Sequence, residues 1–350
     1  MNMKSILMMP INLKRKISFL LSQPNNYRLN LRQRTRAFFY GFTPEEYAIF
    51  DLDHNSPKEY ISEHERLCFR DKIKESRIIA DNKIVCYNIL RNYADVNKMY
   101  AYKLRKDASH TILDGSEQCK DLMQILVEQK KLVYKRISFG GGGGFRLIEY
   151  IDEKFYINRT ECGREDIERL FAETDDYLIE AYCEQSDFEN TLFSYSVNTI
   201  RIVTVAHKDK TIEPVVALQR IGVDANKCVD NACAGGLYAQ INIDNGTLSA
   251  AYSRAVDCIG KSYINHPITN AQIEGVTVPN WREILNKIVE LHSKIRFTNL
   301  GFIAWDIALT DSGIKIIEAN ASCGMIFVQT FSGQRNGKIG DWMKEWGYIK

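Results

Sequence analysis

The chain has 350 residues, 45% hydrophobic and 26% charged, with 46 basic side chains against 44 acidic ones and a formal net charge of +2. That length supports one large domain or two to three packed lobes, while the balanced composition excludes wholesale disorder and gives no bulk signal for a polyanionic partner. Nine cysteines, odd in number and without CxxC pairs, point to reduced thiols in a cytoplasmic protein; Cys228 and Cys233 lack partners at zinc-site spacing and read as core or near-surface thiols.

The charge is unevenly spread. Residues 1–44 contain no acidic side chain but carry Lys4, Lys14, Arg15, Lys16, Arg28, Arg32, Arg34 and Arg36. Two readings stay open for this leader: a solvated, partly disordered segment, or a patch drawn to anionic lipid headgroups or a polyanionic glycan. It lacks the aromatic and glycine pattern of a nucleic-acid module. The apolar run at 6–11 is too short to span a bilayer and lacks a secretory h-region and cleavage site; no later stretch reads as a membrane helix.

Up to about residue 80 the chain reads as polar, basic and mainly helical. Thr43 and Pro44 mark a helix start as N-cap and first residue; residues 59–77 form a second, heavily charged helix and 81–93 a third, with Ile84, Val85, Ile89 and Leu90 on its apolar stripe. An amphipathic helix over 117–131 precedes a strand at 132–137, a glycine run, a strand pair at 145–151 and 155–159, a short helix at 164–172 and a strand at 177–183. Long antiparallel strands follow at 196–207 and 212–223. Strands at 237–243 and 247–253 flank Asn245-Gly246, a strong hairpin signal. A helix over 281–295 leads to a last hairpin, 301–310 with 314–319. The class is α+β with a largely antiparallel C-terminal lobe, divided at 1–80, 81–183 and 184–350.

The last hairpin carries the chemistry. Strand side chains alternate, so Glu318 and Asn320 share a face, and the tight turn places Asp306 beside them on the neighbouring strand. Two carboxylates and an amide oxygen suit magnesium; the plain alternative is a sheet whose outer face merely carries polar residues. Gly140, Gly141, Gly142, Gly143 and Gly144 follow Lys135 without the Gly-Lys-Ser/Thr of a P-loop. Their backbone amides can wrap phosphate oxygens, with Lys135 as a compensating charge; a flexible linker is the competing reading. Residues 178–183 form an apolar strand leaving into a polar connection, either an ordinary buried strand or a hinge for an adenine edge. Asn198, Thr199, Arg201, Arg220 and Asn231, with Gly235-Gly236, interrupt apolar strands, and the arginines suit either salt bridges or a phosphoryl clamp.

In this order the elements resemble the ATP-grasp superfamily, and within it the sugar-transfer-associated branch found with polysaccharide-assembly genes. The likeness covers about residues 41–330 and rests on Ser-Val-Asn-Thr-Ile-Arg at 196–201, Gly-Phe-Ile-Ala-Trp-Asp at 301–306, Glu-Ala-Asn at 318–320, and Asp-Asn with Gly-Gly at 230–236. It implies an ATP-grasp fold, two α+β lobes clamping ATP, with a helical basic N-terminal region. Lys83 and Lys135 match the nucleotide-binding lysines, the glycine run the phosphate loop, and Glu180, Ala181, Tyr182 and Cys183 the adenine hinge. Asp306, Glu318 and Asn320 match the magnesium ligands. Two departures stand out: the first 80 residues do not resemble the Rossmann-like domain of many relatives, and Ala304 replaces the arginine that peptide-ligase relatives carry two residues before the first metal aspartate, leaving Arg201 or Arg220 to supply that charge.

The resemblance implies an ATP-dependent carboxylate–amine (or thiol) ligase working through an acyl phosphate. Its substrates would be a small carboxylate and an amine, such as a sugar acid or amino sugar of a capsule or O-antigen precursor. Arg201, Arg220 and Asn198 are the candidate catalytic residues, with Asn231, Gly235 and Gly236 on the nucleotide side. Catalysis would rest on placement and charge neutralisation. A kinase on the same fold and a non-catalytic ATP-binding accessory protein are the competing readings. The expected location is cytoplasmic, peripheral to the inner face of the membrane through the basic leader.

Overall fold

The computed structural model describes residues 17–19, 21–107, 109–113, 121–138 and 144–350. Two antiparallel sheets organise them. The first runs in the order β2-β1-β7-β3-β4-β5-β6 and comprises β1 (Met99–Lys103), β2 (Thr111–Ile112), β3 (Lys131–Arg136), β4 (Arg146–Ile151), β5 (Lys154–Ile157), β6 (Thr160–Cys162) and β7 (Tyr177–Ala181). The second runs β11-β10-β9-β8-β12-β13, from β8 (Thr199–Ala206), β9 (Ile212–Ile221), β10 (Leu237–Ile241), β11 (Leu248–Ser253), β12 (Phe302–Thr310) and β13 (Gly313–Asn320).

Local sequence explains most boundaries. Thr43 accepts from the Glu46 N–H while the Glu46 carboxylate takes the Thr43 N–H, so a capping box starts the helix Pro44–Ile49. Ser62 and Glu65 repeat the device for Glu63–Lys72. The single helix expected over 59–77 is instead two, Glu63–Lys72 and Lys74–Asp81. They break at Ile73, whose side chain packs against two different apolar clusters. The helix expected over 117–131 is described as Leu122–Gln129. Absent from the sequence reading were β1 and β2, the helix Asp187–Leu192 and the C-terminal helices Met325–Gln329 and Lys338–Glu345.

Alternation along β12 divides the core. Ile303, Trp305, Ile307 and Leu309 join Ile284, Ile288 and Leu291 of the helix Trp281–Lys294 on one face. Phe302 and Ala304 join Val203, Val205, Phe69 and Trp342 on the other. Burying a side chain such as Phe69 contributes roughly 1.5–3 kcal/mol, so residues 61–72 are part of this lobe's core and not a loose leader. His292 ties the first face together. Its Nε2–H donates to the Leu300 carbonyl at 2.8 Å and its Nδ1 accepts from the Thr204 hydroxyl at 2.7 Å, while Trp305 Nε1 donates to Thr204 Oγ1 at 2.8 Å. Burial lowers the His292 pKa to about 4, so it serves packing as a neutral ring. The helix Lys83–Leu90 bridges the lobes: Cys86 and Leu90 join the second sheet's core, and Ile84 and Tyr87 pack towards Met99, Ile137 and Leu178 of the first.

Candidate functional site

Strand register builds the first wall. Asp306 lies opposite Glu318 on β13 and opposite Arg201 on β8, and Ala304 lies opposite Asn320. Arg201, Asp306 and Glu318 therefore form one row across three adjacent strands. A register shift after Asp306 makes Ile317 an extra residue of β13, and such a bulge re-aims side chains at a sheet's functional end.

Arg201 grips Asp306 with both ends of its fork, Nε to Oδ1 and Nη2 to Oδ2, each at 2.7 Å. Arg220 bridges Asp306 Oδ2 at 2.9 Å and Asp230 Oδ1 at 2.8 Å. Asp230 also accepts from the Thr199 N–H at 2.9 Å and hydroxyl at 2.5 Å. Burial pushes the Asp306 carboxyl upward, but the two guanidinium groups outweigh it and hold Asp306 below the ordinary aspartate range. At Asp230 burial prevails over Arg220, and its pKa is raised.

The first sheet supplies the opposite wall. Lys135 on β3 lies diagonal to Glu180 on β7 and pairs with it at 2.5 Å; burial raises the Glu180 pKa against the pull of Lys135 and Lys83. Lys83 heads its helix with Asn82 as N-cap. Its N–H donates to the Ile137 carbonyl at 3.1 Å, and its ammonium reaches Glu318 at 3.4 Å. Between the walls lies a cleft of about 180 Å³ lined by Lys83, Lys135, Glu180, Tyr182, Cys183, Arg201, Arg220, Asn231, Asp306, Glu318 and Asn320. Residues as far apart in sequence as Lys83 and Asn320 thus meet in one place.

Four expected site residues stand elsewhere. Asn198 does not line the cleft: its amide nitrogen donates to the Glu189 and Phe193 carbonyls at 2.9 and 2.8 Å, and its oxygen accepts from the Gly222 N–H at 3.1 Å. Fully buried, it commits both amide N–H groups and one lone pair of its oxygen to tying the Asp187–Leu192 helix end to Gly222. Ala181 commits its N–H to the Lys98 carbonyl and its C=O to Asn97, while Glu180, Tyr182 and Cys183 line the cleft. Gly235 and Gly236 shape the loop after Asp230 and do not line the cleft. Gly235 has φ 99°, and a Cβ on Gly236 would lie 2.3 Å from the Asp230 carbonyl oxygen. Gly140, Gly141, Gly142 and Gly143 fall outside the described residues; Gly144, with φ 83°, packs where a Cβ would meet the Tyr177 hydroxyl at 2.7 Å.

Conversely, Asn97, Thr199 and Asp230 line the cleft without having been singled out as ligand contacts. Asn97 Oδ1 is buried and unpartnered. Its signal, a polar residue beside the buried strand β1, is invisible until that strand is known. Thr199 and Asp230 lie 31 positions apart, and only the fold pairs them.

Among the described residues no three His, Cys, Asp or Glu side chains form a metal-holding group, so any ion here relies on two carboxylates and an amide. Asn320 Nδ2 is buried without a partner, and a flip of that amide would present oxygen instead. Among the described residues Glu318 pairs with one cation, Lys83. Asp306 spends three of about four lone-pair positions on arginines. The set fits a hard, oxygen-seeking cation, with Glu318 and Asn320 the freer ligands.

The profile of a family described as sugar-transfer associated ATP-grasp matches residues 65–336, well over half of the chain. Among solved structures, D-alanine–D-alanine ligase from Bacillus anthracis is 12% identical with a TM-score of 0.39, over 78% of this chain and 64% of that one. L-amino acid ligase from Bacillus licheniformis is 10% identical with a TM-score of 0.41, over 75% and 45%. N5-carboxyaminoimidazole ribonucleotide synthetase from Thermotoga maritima is 11% identical with a TM-score of 0.34, over 70% and 42%. This chain thus spans from under half to just under two thirds of those proteins. No curated protein matches it.

Proposed function

The chain belongs to the sugar-transfer associated ATP-grasp family, and from that premise we propose that it is an ATP-dependent ligase joining a small carboxylate to an amine (or thiol). The observation that carries this reading is the single cleft in which Lys83 and Lys135 face Arg201, Arg220, Asp306, Glu318 and Asn320. Four cations of this density suit a triphosphate and a transferring phosphoryl group. We take residues 1–80 as an N-terminal region and 81–183 and 184–350 as the two lobes, with residues 61–80 packing against the second.

In the proposed reaction a substrate carboxylate oxygen attacks the γ-phosphorus of ATP, and the bond to the β-bridging oxygen breaks with ADP as leaving group. The amine nitrogen then attacks the acyl carbon and phosphate departs with the C–O electron pair, the amine proton passing to solvent. Lys83 and Lys135 would bind phosphate oxygens, and Tyr182 and Cys183 would flank the base. Arg201 and Arg220 would orient the carboxylate and offset charge as it develops. Glu318 and Asn320, with Asp306, would hold magnesium, which when bound supplies charge neutralisation on the phosphates. Within this proposal the acid is a sugar acid or the amine an amino sugar of a surface polysaccharide. The chain works at the cytoplasmic face of the membrane, held by the helix Leu31–Tyr40. That helix exposes Arg32 and Arg34 beside Leu31 (81% exposed) and Phe39 (72%).

The test is ADP and phosphate release against a panel of acids and amines. Phosphate release that requires both an acid and an amine is the expected result. Transfer of phosphate to a hydroxyl without free phosphate identifies a kinase and overturns the ligase reading.

A further inference from the structure

A second chamber of about 250 Å³ adjoins the cleft, and Arg201, Arg220, Asn231 and Asn320 line both. Leu218, Tyr238 and Phe327 give it apolar walls, and no acidic side chain is among its lining residues. A third cation, Arg254, lines the chamber but not the cleft. Its Nε and Nη2 donate to Glu45 Oε1 at 2.9 and 2.6 Å, its Nη1 lies 2.9 Å from Cys233 Sγ, and its guanidinium sits over the Phe327 ring at 4.9 Å. Three of five guanidinium N–H groups are thereby used, leaving two for a ligand. Glu45 is itself held by the Tyr27 hydroxyl at 2.8 Å, so the N-terminal region sets the position of this arginine.

We propose that this chamber receives the acid to be activated, a small organic anion whose carboxylate faces Arg201 and Arg220, and that Arg254 is its specificity-determining residue. The inference rests on the ligase reading for the word activated, but the anion selectivity of the chamber stands apart from it. Arg201, Arg220 and Arg254 each keep an acid partner, but none of those carboxylates lines the chamber, so the guanidinium N–H groups left over, with the apolar walls, favour a negatively charged guest over a neutral one of equal size. Volume limits that guest to a small molecule.

Cys233 is exposed and lines the chamber, which offers a ligand-free test. The full-length protein is alkylated with iodoacetate and, separately, iodoacetamide, and the rate at each cysteine is followed by peptide mass spectrometry. The ratio of the two rates at one thiol cancels its thiolate fraction, so it reads only the charge preference of the surroundings. The iodoacetate-to-iodoacetamide ratio at Cys233 is expected to exceed that at the partly exposed Cys258 by about tenfold, consistent with a cation a few ångströms away. Arg254→Gln lowers it towards the Cys258 value. Glu45→Gln, which frees the guanidinium, raises it and guards against a misfolded arginine variant. Equal ratios at Cys233 and Cys258 in the unaltered protein overturn the proposal. Labelling needs neither ATP nor turnover. Charge preference without acid-dependent ADP release sinks the ligase reading and leaves the chamber, whereas ADP release without preference does the reverse.

Discussion

Replacing Glu318 with glutamine separates a ligand role from a structural one. The carboxylate pairs with Lys83 at 3.4 Å, with side chains 25% and 10% exposed respectively. At that distance the gross attraction is about 1–5 kcal/mol for an effective dielectric between 80 and 20, and the cost of drying both groups cancels most of it. Lys83 also keeps an electrostatic partner in Glu180. The net stability loss is therefore about 1 kcal/mol, or about 2 °C or less in the melting temperature of a chain this long. If Glu318 holds the ion that steadies the transferring phosphoryl group, the effect on turnover is far larger, about 10²-fold in kcat/KM. The half-saturating magnesium concentration should rise as well. Melting curves and magnesium titrations of ADP release, run on the same preparation, give both numbers. Turnover within about threefold of the unaltered protein, at an unchanged magnesium midpoint, refutes the metal assignment.

Asn198→Ala should behave in the opposite way. It leaves the Gly222 N–H without its partner and takes one donor each from the Glu189 and Phe193 carbonyls, which keep the Phe193 N–H and Gln185 Nε2, so it should cost about 1–3 kcal/mol of stability, while activity per folded molecule stays near normal; a large activity loss at unchanged melting temperature supports the catalytic reading. His207 provides the pH prediction. Burial lowers its pKa, but the hydrogen bonds it donates to Glu345 and Glu213 outweigh that and raise it. The protonated ring therefore adds stability that is complete below about pH 6.5 and is lost as pH climbs through the raised folded value. Melting temperature should fall more steeply between pH 6.5 and alkaline pH in the unaltered chain than in His207→Gln. For the membrane contact, Arg32→Glu with Arg34→Glu should weaken sedimentation with phosphatidylglycerol vesicles by about 30-fold, taking about 1 kcal/mol per basic residue. No binding by the unaltered chain removes the membrane proposal.

What could be read without coordinates was whatever short-range rules decide. The hairpin of β12 and β13 was legible because Asp311-Ser312-Gly313 closes it and the alternation fixes which side chains share a face; Asp306 and Glu318 did come out opposite each other. The capping box at Thr43 was half legible for the same reason. By contrast β1, buried along nearly its whole length, has no period to betray it. It wins its place beside β7 through pairing with residues about 80 positions away. Asn198 misled because a polar residue in an apolar strand looks like a ligand group. The groups that satisfy it lie in and at the end of the helix Asp187–Leu192 and at Gly222, whose return to β8 only tertiary packing decides.

Four of the cations lining the cleft already have an acid. Lys83 answers Glu318, Lys135 answers Glu180, Arg201 answers Asp306, and Arg220 answers both Asp306 and Asp230. An isolated buried charge costs several kcal/mol, so this pairing is what lets so many ionised groups share one interior without unfolding it. It also sets a condition on ligands. A lone anion that drew away the lysines and arginines would strand four carboxylates, and a lone divalent cation would strand the bases. A polyphosphate arriving with a divalent ion leaves neither set without a counter-charge. The paired cleft therefore favours the two together over either alone, and binding measured by calorimetry should be strongly cooperative between nucleotide and metal. Equal nucleotide affinity with and without magnesium would show that the carboxylates keep their basic partners throughout, and the charge-exchange argument would fail.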